Sequence, residues 1–388
     1  MSEAKQLYDA ILCALSPLLP RSVYQDVRRV RTLAWAMTGL CLRRTVRLSA
    51  WAEVAHSRSQ HAARRVRRFS RWLHYPAIVP SHWYRPVTRS AFSDWPVDQR
   101  LYVALDTTAL LPFVLIQASL VYGRRAIPLA WRVMRHQSTT VAFEDYCPVL
   151  EQVRAILPVG GVITLLADRG FVHQRLLSYL RSLDFQFRLR LMSKTLVHLD
   201  AQSVVAVRDL CPPAGQSRFF QQVSLFGAAS APVSLTLTRL ADRPDDPWVL
   251  ASSEPANTST FDEYRLRFDI EESFRDEQSD GFQLQTSHLA TSDALERLLL
   301  ILALTTLYLT SLGTRIVQAQ KRSWIDPYWW RGLSYLQLGW RGLRLAGADE
   351  EPAFVPFRLD PTPDPFPVPA SRRLARSSAH EQELPLIA

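Results

Sequence analysis

The sequence predicts an α/β fold: a mixed sheet flanked by helices, interrupted by a β-rich insertion and preceded by a basic helical region. Three observations carry this expectation. Apolar runs alternate between strand and helix periods from residue 96 to 193, a stretch of period-two runs with proline and glycine punctuation follows, and residues 1–95 read as arginine-rich amphipathic helices.

The N-terminal region, 1–95, is strongly one-signed. Between Arg21 and Arg71 stand thirteen arginines against only Asp26 and Glu53. In "HAARRVRRFSRWL" (His61–Leu73), helical spacing puts Val66, Phe69 and Leu73 on one stripe and leaves Arg64, Arg65, Arg67, Arg68 and Arg71 to face outward. Unopposed positive charge on a helix is costly unless it meets an anion, so this face is expected to contact DNA.

From Arg100 the texture changes. "RLYVALDTTAL", "FVLIQASLVYG" and "RAIPLAWRVM" read as successive strands with a turn at "GRR". An amphipathic helix ("FEDYCPVLEQVRAIL"), an apolar strand ("VITLLADRGF"), a helix ("HQRLLSYLRSL") and a strand ("FQFRLRL") complete the first part of the core, 96–193. Three meandering strands followed by alternating helices and strands give a mixed sheet. Residues 194–256 read as the β-rich insertion, and 257–348 as the second part of the core. Within it, "LLLILALTTLYLTSL" (Leu298–Leu312) is too short to span a bilayer comfortably and reads as a buried helix, so no membrane association is expected. Seven prolines between Pro352 and Pro369 mark 349–388 as a tail expected to stay disordered.

Composition narrows the class. Hydrophobic residues at 47% and charged residues at 21% are ordinary for a soluble globular chain, whereas a net charge of +10 and a pI near 9.7 are not. Nearly all the basic residues are arginine, the lysines being Lys5, Lys194 and Lys321, which favours a phosphate-bearing partner. Cys13, Cys41, Cys147 and Cys211 form no C-x-x-C pair, which argues against a zinc ribbon or disulfide framework and fits a reducing cytoplasm.

Three acids stand out. Asp106 follows "LYVAL" and Asp168 follows "VITLLA", each at the expected carboxyl end of a strand, where α/β sheets build their sites. A third comes from "YRLRFDIEESFRDEQSDG". At about 100° per residue, Tyr264, Arg267, Glu271 and Gln278 fall within a roughly 60° sector, and Glu272 lies about 100° from Glu271. That face carries a hydroxyl, a guanidinium, a carboxylate and an amide, a set suited to a phosphodiester held against a metal. Two aspartates and a glutamate, all oxygen ligands, suit Mg²⁺, with Mn²⁺ as the alternative, and two such ions can serve an in-line phosphoryl transfer.

With these residues the chain resembles the DDE transposases of bacterial insertion sequences, whose catalytic domain is RNase H-like. Tyr264, Arg267 and Glu271 match the Y-x2-R-x3-E-x6-K signature of one large group; "ALDTT" and "LADRGF" resemble its aspartate motifs, and the β-rich insertion between Asp168 and Glu271 fits as well. The resemblance spans roughly Val23–Leu345. It implies that Asp106, Asp168 and Glu271 are catalytic metal ligands, that Tyr264 and Arg267 hold phosphate, and that Arg169 assists. It implies as partners the element's terminal inverted repeats and target DNA, bound as a homodimer in the bacterial cytoplasm, at the nucleoid. The activity implied is cut-and-paste transposition through strand nicking, a hairpin intermediate and strand transfer. "PWVLASSEP" (Pro247–Pro255) is similar to the segment that, in hairpin-forming members, supplies a tryptophan to stack on a flipped base; Trp248 matches that position, though it also reads as a core residue opening a strand. One position departs: the signature lysine is Gln278 here, which removes a charge from the phosphate face, with Arg275 as a possible substitute. That departure keeps open an inactive or domesticated DNA-binding derivative, and the fold keeps open a host nuclease.

Overall fold

The computed structural model describes residues 2–364 apart from 58, 159, 201, 228–229, 241–244, 327–331, 347–355 and 363. The chain opens with helices α1 (Glu3–Leu15), α2 (Arg21–Tyr24), α3 (Val27–Arg43), α4 (Leu48–Val54), α5 (Ala62–Leu73) and α6 (Pro80–Ala91). Asp26 caps α3 by accepting from the Arg28 amide at 2.8 Å, and Pro80 begins α6 where its missing N–H costs nothing.

Strands β1 (Arg100–Leu110), β2 (Phe113–Tyr122) and β3 (Arg125–Arg135) form an antiparallel meander. The β2–β3 turn places Gly123 and Arg124 at φ of 57° and 68°, the paired positive values of the tight hairpin turn that "GRR" foretold. Helix α7 (Phe143–Ile156) leads to β4 (Val162–Ala167), and α8 (Gln174–Ser182) to β5 (Phe185–Arg190); β1, β4 and β5 run parallel. Strands β6 (Leu196–His198), β7 (Val204–Ala206), β8 (Ser217–Leu225), β9 (Val233–Thr238) and β10 (Trp248–Ser252) follow. The strand order is β3-β2-β1-β4-β5-β10-β9-β8-β6-β7, so β10 extends the central sheet from β5 and carries the β-rich segment as a continuation of it.

The chain closes with α9 (Ser259–Arg265), α10 (Phe268–Arg275), a π-helical turn (Asp276–Asp280), α11 (Ser292–Gln318) and α12 (Tyr335–Ala346). Helix α11 spans 27 residues and is apolar enough in length and composition to cross a membrane, yet 89% of its most apolar window lies inside the fold. It is the central core helix. Its buried Arg297 donates to the carbonyls of Leu73 at 3.1 Å and Ile78 at 2.9 Å, fastening the N-terminal helices to the core. One cluster of buried apolar side chains runs from Leu7 through Leu105, Leu165 and Leu304 to Leu359. The N-terminal helices therefore share their core with the sheet.

Part of the proline-rich tail departs from expectation. Most of 349–388 lies outside the described residues, but Phe357 and Leu359 are fully buried, the Leu359 amide donates to the Ala91 carbonyl at 3.0 Å, and the Trp95 indole donates back to the Leu359 carbonyl at 2.9 Å. Phe357 lies against Tyr308 of α11, ring centres 5.7 Å apart, while the Leu359 backbone is tied to Ala91 and Trp95, an anchorage that a proline count cannot register.

Candidate active site

Asp106 does not end its strand, as the apolar run had suggested; β1 continues to Leu110 against β2. What ends there is the parallel pairing with β4, whose last pair is Leu105 with Ala167. Asp106 and Asp168 are the next residues on each strand. Parallel neighbours lie about 4.8 Å apart, so the two aspartates emerge side by side where β1 outruns β4. Their placement follows from register alone.

The helix expected from Tyr264 onward is broken. Helix α9 ends at Arg265, α10 starts at Phe268, and a π-helical turn follows Arg275. The break parts the four residues expected on one face. Tyr264 packs inward, 1% exposed, with its ring edge-on to Trp248 at 5.7 Å. Arg267 and Glu271 stay together, the Arg267 guanidinium donating to Glu271 at 2.7 Å and to Asp106 at 2.9 Å. This bridge brings the third acid to the first. Gln278 reaches β1 through another contact, donating to the Thr108 hydroxyl at 2.8 Å, two residues beyond Asp106. Glu272 turns away to Arg275 at 2.7 Å. The separation of the adjacent glutamates that helical register predicts is therefore present.

Burial pushes the Asp106 pKa up, the negative charges of Glu271 and Asp168 add to it, and Arg267 and the Thr107 amide oppose it. Burial also works against the charge of Arg267, yet Tyr264, Asp106, Glu271 and Asp168 together raise its pKa above the ordinary value. The Tyr264 hydroxyl, pushed up to about 12 by burial, stays protonated and can act only as a neutral hydrogen-bonding group. One oxygen of Asp168, Oδ1, is buried without a hydrogen-bond partner among the described residues. An all-oxygen donor set with an unsatisfied buried carboxylate oxygen fits a hard divalent cation. Among the described residues, however, no three His, Cys, Asp or Glu side chains converge closely enough to hold one ion, and Arg267 sits between two of the acids.

The remaining sequence candidates divide. Arg169 is exposed on the short helical turn after Asp168 and lines a cavity of about 420 Å³ with Lys194 and His198. Trp248 opens β10 at 9% exposure, within a small cluster formed with Leu250, Phe261 and Tyr264. On α5, Arg64, Arg67 and Arg71 face solvent as expected, but Arg65 and Arg68 do not. Arg68 donates to the Thr32 hydroxyl of α3 at 3.0 Å, and Arg65 to the Ala52 carbonyl at 3.5 Å. The helix is packed on both flanks, so fewer positions are free than its periodicity implied.

Sequence reading missed the supports. Arg188 on β5, 4% exposed, ion-pairs with Glu263 of α9 and with Glu254, which also takes both prongs of Arg100 at 2.6 and 2.7 Å. Ser273 accepts from the Ala126 amide at 2.7 Å, docking α10 on β3. Glu277 is buried over the sheet, where Gln117 of β2 donates to it at 3.3 Å. The alternation of arginine with apolar residues in "FQFRLRL" was the available signal for Arg188; nothing local marked Glu277.

An antiparallel meander followed by parallel β4 and β5 on the far side of β1, with acids where β1 outruns β4, defines the RNase H-like class. Residues 133–308, a little under half of the chain, match the family model described as "Transposase DDE domain". That match contains Asp168 and Glu271 and begins after Asp106. A solved structure, the piggyBac transposase synaptic complex with hairpin DNA, is similar at 10% identity and a TM-score of 0.44, covering 89% of this chain and 77% of that one. No curated protein matches the sequence.

Proposed function

We propose that the chain catalyses metal-dependent cut-and-paste transposition of an insertion sequence, with Asp106, Asp168 and Glu271 as the catalytic acids. The observation that carries this reading is the alignment of Asp106 and Asp168 on adjacent parallel strands, with Glu271 tied to Asp106 through Arg267. Two Mg²⁺ ions, or Mn²⁺ in their place, would be held by these acids and supply Lewis-acid activation of the attacking oxygen and charge neutralisation on the leaving one. Arg267 offers a planar fork matched to a phosphodiester, and Gln278, backed by Thr108, an uncharged donor beside it. Exposed Arg64, Arg67 and Arg71 offer the duplex a sequence-independent grip. Arg169, exposed next to Asp168, adds a positive charge beside the acids. Terminal inverted repeats and target DNA are the substrates, engaged by a homodimer in the cytoplasm. Nicking would free a 3′-hydroxyl, whose attack on the opposite strand gives a hairpin; Trp248 would stack on a flipped base only after leaving its cluster.

The test is cleavage of a duplex bearing the element's terminal repeat. Asp168→Asn and Glu271→Gln are expected to lower Mg²⁺-dependent nicking by about a hundredfold or more while binding, read by gel shift, persists. Full cleavage by Glu271→Gln would remove it from the site. A second reading, a derivative that binds DNA without cutting it, is favoured by one observation: Gln278 stands at the signature lysine position and is engaged by Thr108 and Gln285. Wild-type chain that shifts the repeat but never nicks it in Mg²⁺ or Mn²⁺ would select that reading.

A further inference from the structure

Arg267 is 6% exposed and lies among the acids, with one amino group on Asp106 at 2.9 Å and the other on Glu271 at 2.7 Å. A single side chain thus bridges two of the three carboxylates, balancing one of their two negative charges, and links β1 to α10. Asp168, the third, keeps a buried oxygen without a hydrogen-bond partner among the described residues. The guanidinium holds Oδ2 of Asp106 and Oε1 of Glu271, so it competes with a divalent ion for the same two carboxylates. Two cations crowded onto one pair of acids repel each other strongly at low local dielectric.

We propose that Arg267 is a cation latch: it holds Asp106 and Glu271 as a paired resting state, and a divalent ion binds only as the guanidinium lets go of at least one of them. This rests on the acid assignment made above. Released from a carboxylate, the guanidinium presents its fork to a phosphodiester, an anion of matching geometry. Metal binding and phosphate capture are thereby coupled through one side chain. Linkage makes the coupling reciprocal, so a phosphodiester that draws Arg267 away also tightens metal binding. The movement has a reporter. The guanidinium lies 5.1 Å from the Phe268 ring centre and 5.9 Å from that of Tyr264, and Trp248 packs on both rings at 5.8 and 5.7 Å.

The test is Mn²⁺ affinity without DNA, read from the electron paramagnetic resonance of the free ion. Arg267→Gln is expected to bind Mn²⁺ about tenfold more tightly than wild type, the scale of removing one competing charge. Asp168→Asn is expected to lose that binding in either background. Equal affinity in wild type and Arg267→Gln, with Asp168→Asn still defective, overturns the latch and leaves the acids assigned. Indifference of Mn²⁺ binding to both Asp106→Asn and Asp168→Asn overturns the assignment and the latch with it. Should Arg267→Gln fail to fold, wild type labelled with 5-fluorotryptophan carries the test. Mg²⁺ is expected to move the Trp248 resonance, identified by its loss in Trp248→Phe. Mg²⁺ binding, seen by calorimetry, that leaves this resonance in place overturns the proposal.

Discussion

Glu277 shows what one buried carboxyl does to the fold. Burial pushes its pKa up to about 8, Asp276 adds to the shift, and the Gln117 amide opposes it. The folded state therefore holds a proton that the unfolded chain releases near its ordinary value of 4.5. Its contribution to stability is complete below about pH 4.5 and is lost as pH rises toward about 8. Glu277→Gln keeps an uncharged partner for Gln117, so its melting temperature should gain on wild type across that window by roughly 2–4 °C, checked by calorimetry at several pH values. Gln278, the next residue, bears on the DNA binding proposed above. Gln278→Lys restores a cation beside Thr108 and should strengthen DNA binding, steepening the logarithmic salt dependence by about one. An unchanged slope would place residue 278 off the DNA path.

Elements were more legible in the sequence than the joints between them. Strand and helix periods foretold β1 to β5, α7, α8 and α11, because each buries one face and writes that face into its spacing. The break between α9 and α10 left no such trace: Leu266 and Phe268 continue an apolar pattern, and what separates the helices is the docking of Tyr264 against Trp248 and of Ser273 against Ala126. The candidate acids were visible as residues ending apolar runs, whereas their alignment depends on where β1 outruns β4, a property of two strands together. Long-range fit also governs the α11–α12 contact. A side chain at Gly339 would meet the Leu309 carbonyl oxygen at 1.8 Å, and one at Gly313 the Tyr335 carbonyl oxygen at 1.9 Å. Backbone cannot yield as a side-chain tip can, so Gly339→Ala should cost about 1–3 kcal/mol in denaturant unfolding, with α12 displaced.

At the scale of the whole molecule, charge is divided between scaffold and surface. Arg68, Arg188, Arg297 and Arg322 are spent inside: Arg68 on Thr32, Arg188 on Glu254 and Glu263, Arg297 on backbone carbonyls, and Arg322 on Asp326 at 3.2 Å. The net charge of +10 is thus carried by a smaller set of exposed groups. Replacing Arg64, Arg67 and Arg71 with alanine should weaken duplex binding across sequences and flatten the salt dependence by up to about three in logarithmic slope, with little change in melting temperature. Arg68→Ala should do the reverse, costing stability by about 1 kcal/mol and leaving the slope unchanged.

The strand order has a further consequence, for how such a chain can be lengthened or shortened. The polypeptide leaves the central sheet at Arg190 and re-enters it on the adjacent strand, where Leu250 faces Arg190 and the Leu191 amide donates to the Val249 carbonyl at 2.9 Å. Departure and return share one doorway. Genetic material could be gained or shed there without any strand of the acid-bearing half changing neighbour, and a short hairpin turn would close the gap. The same doorway is a natural graft point for a foreign domain whose termini lie close together.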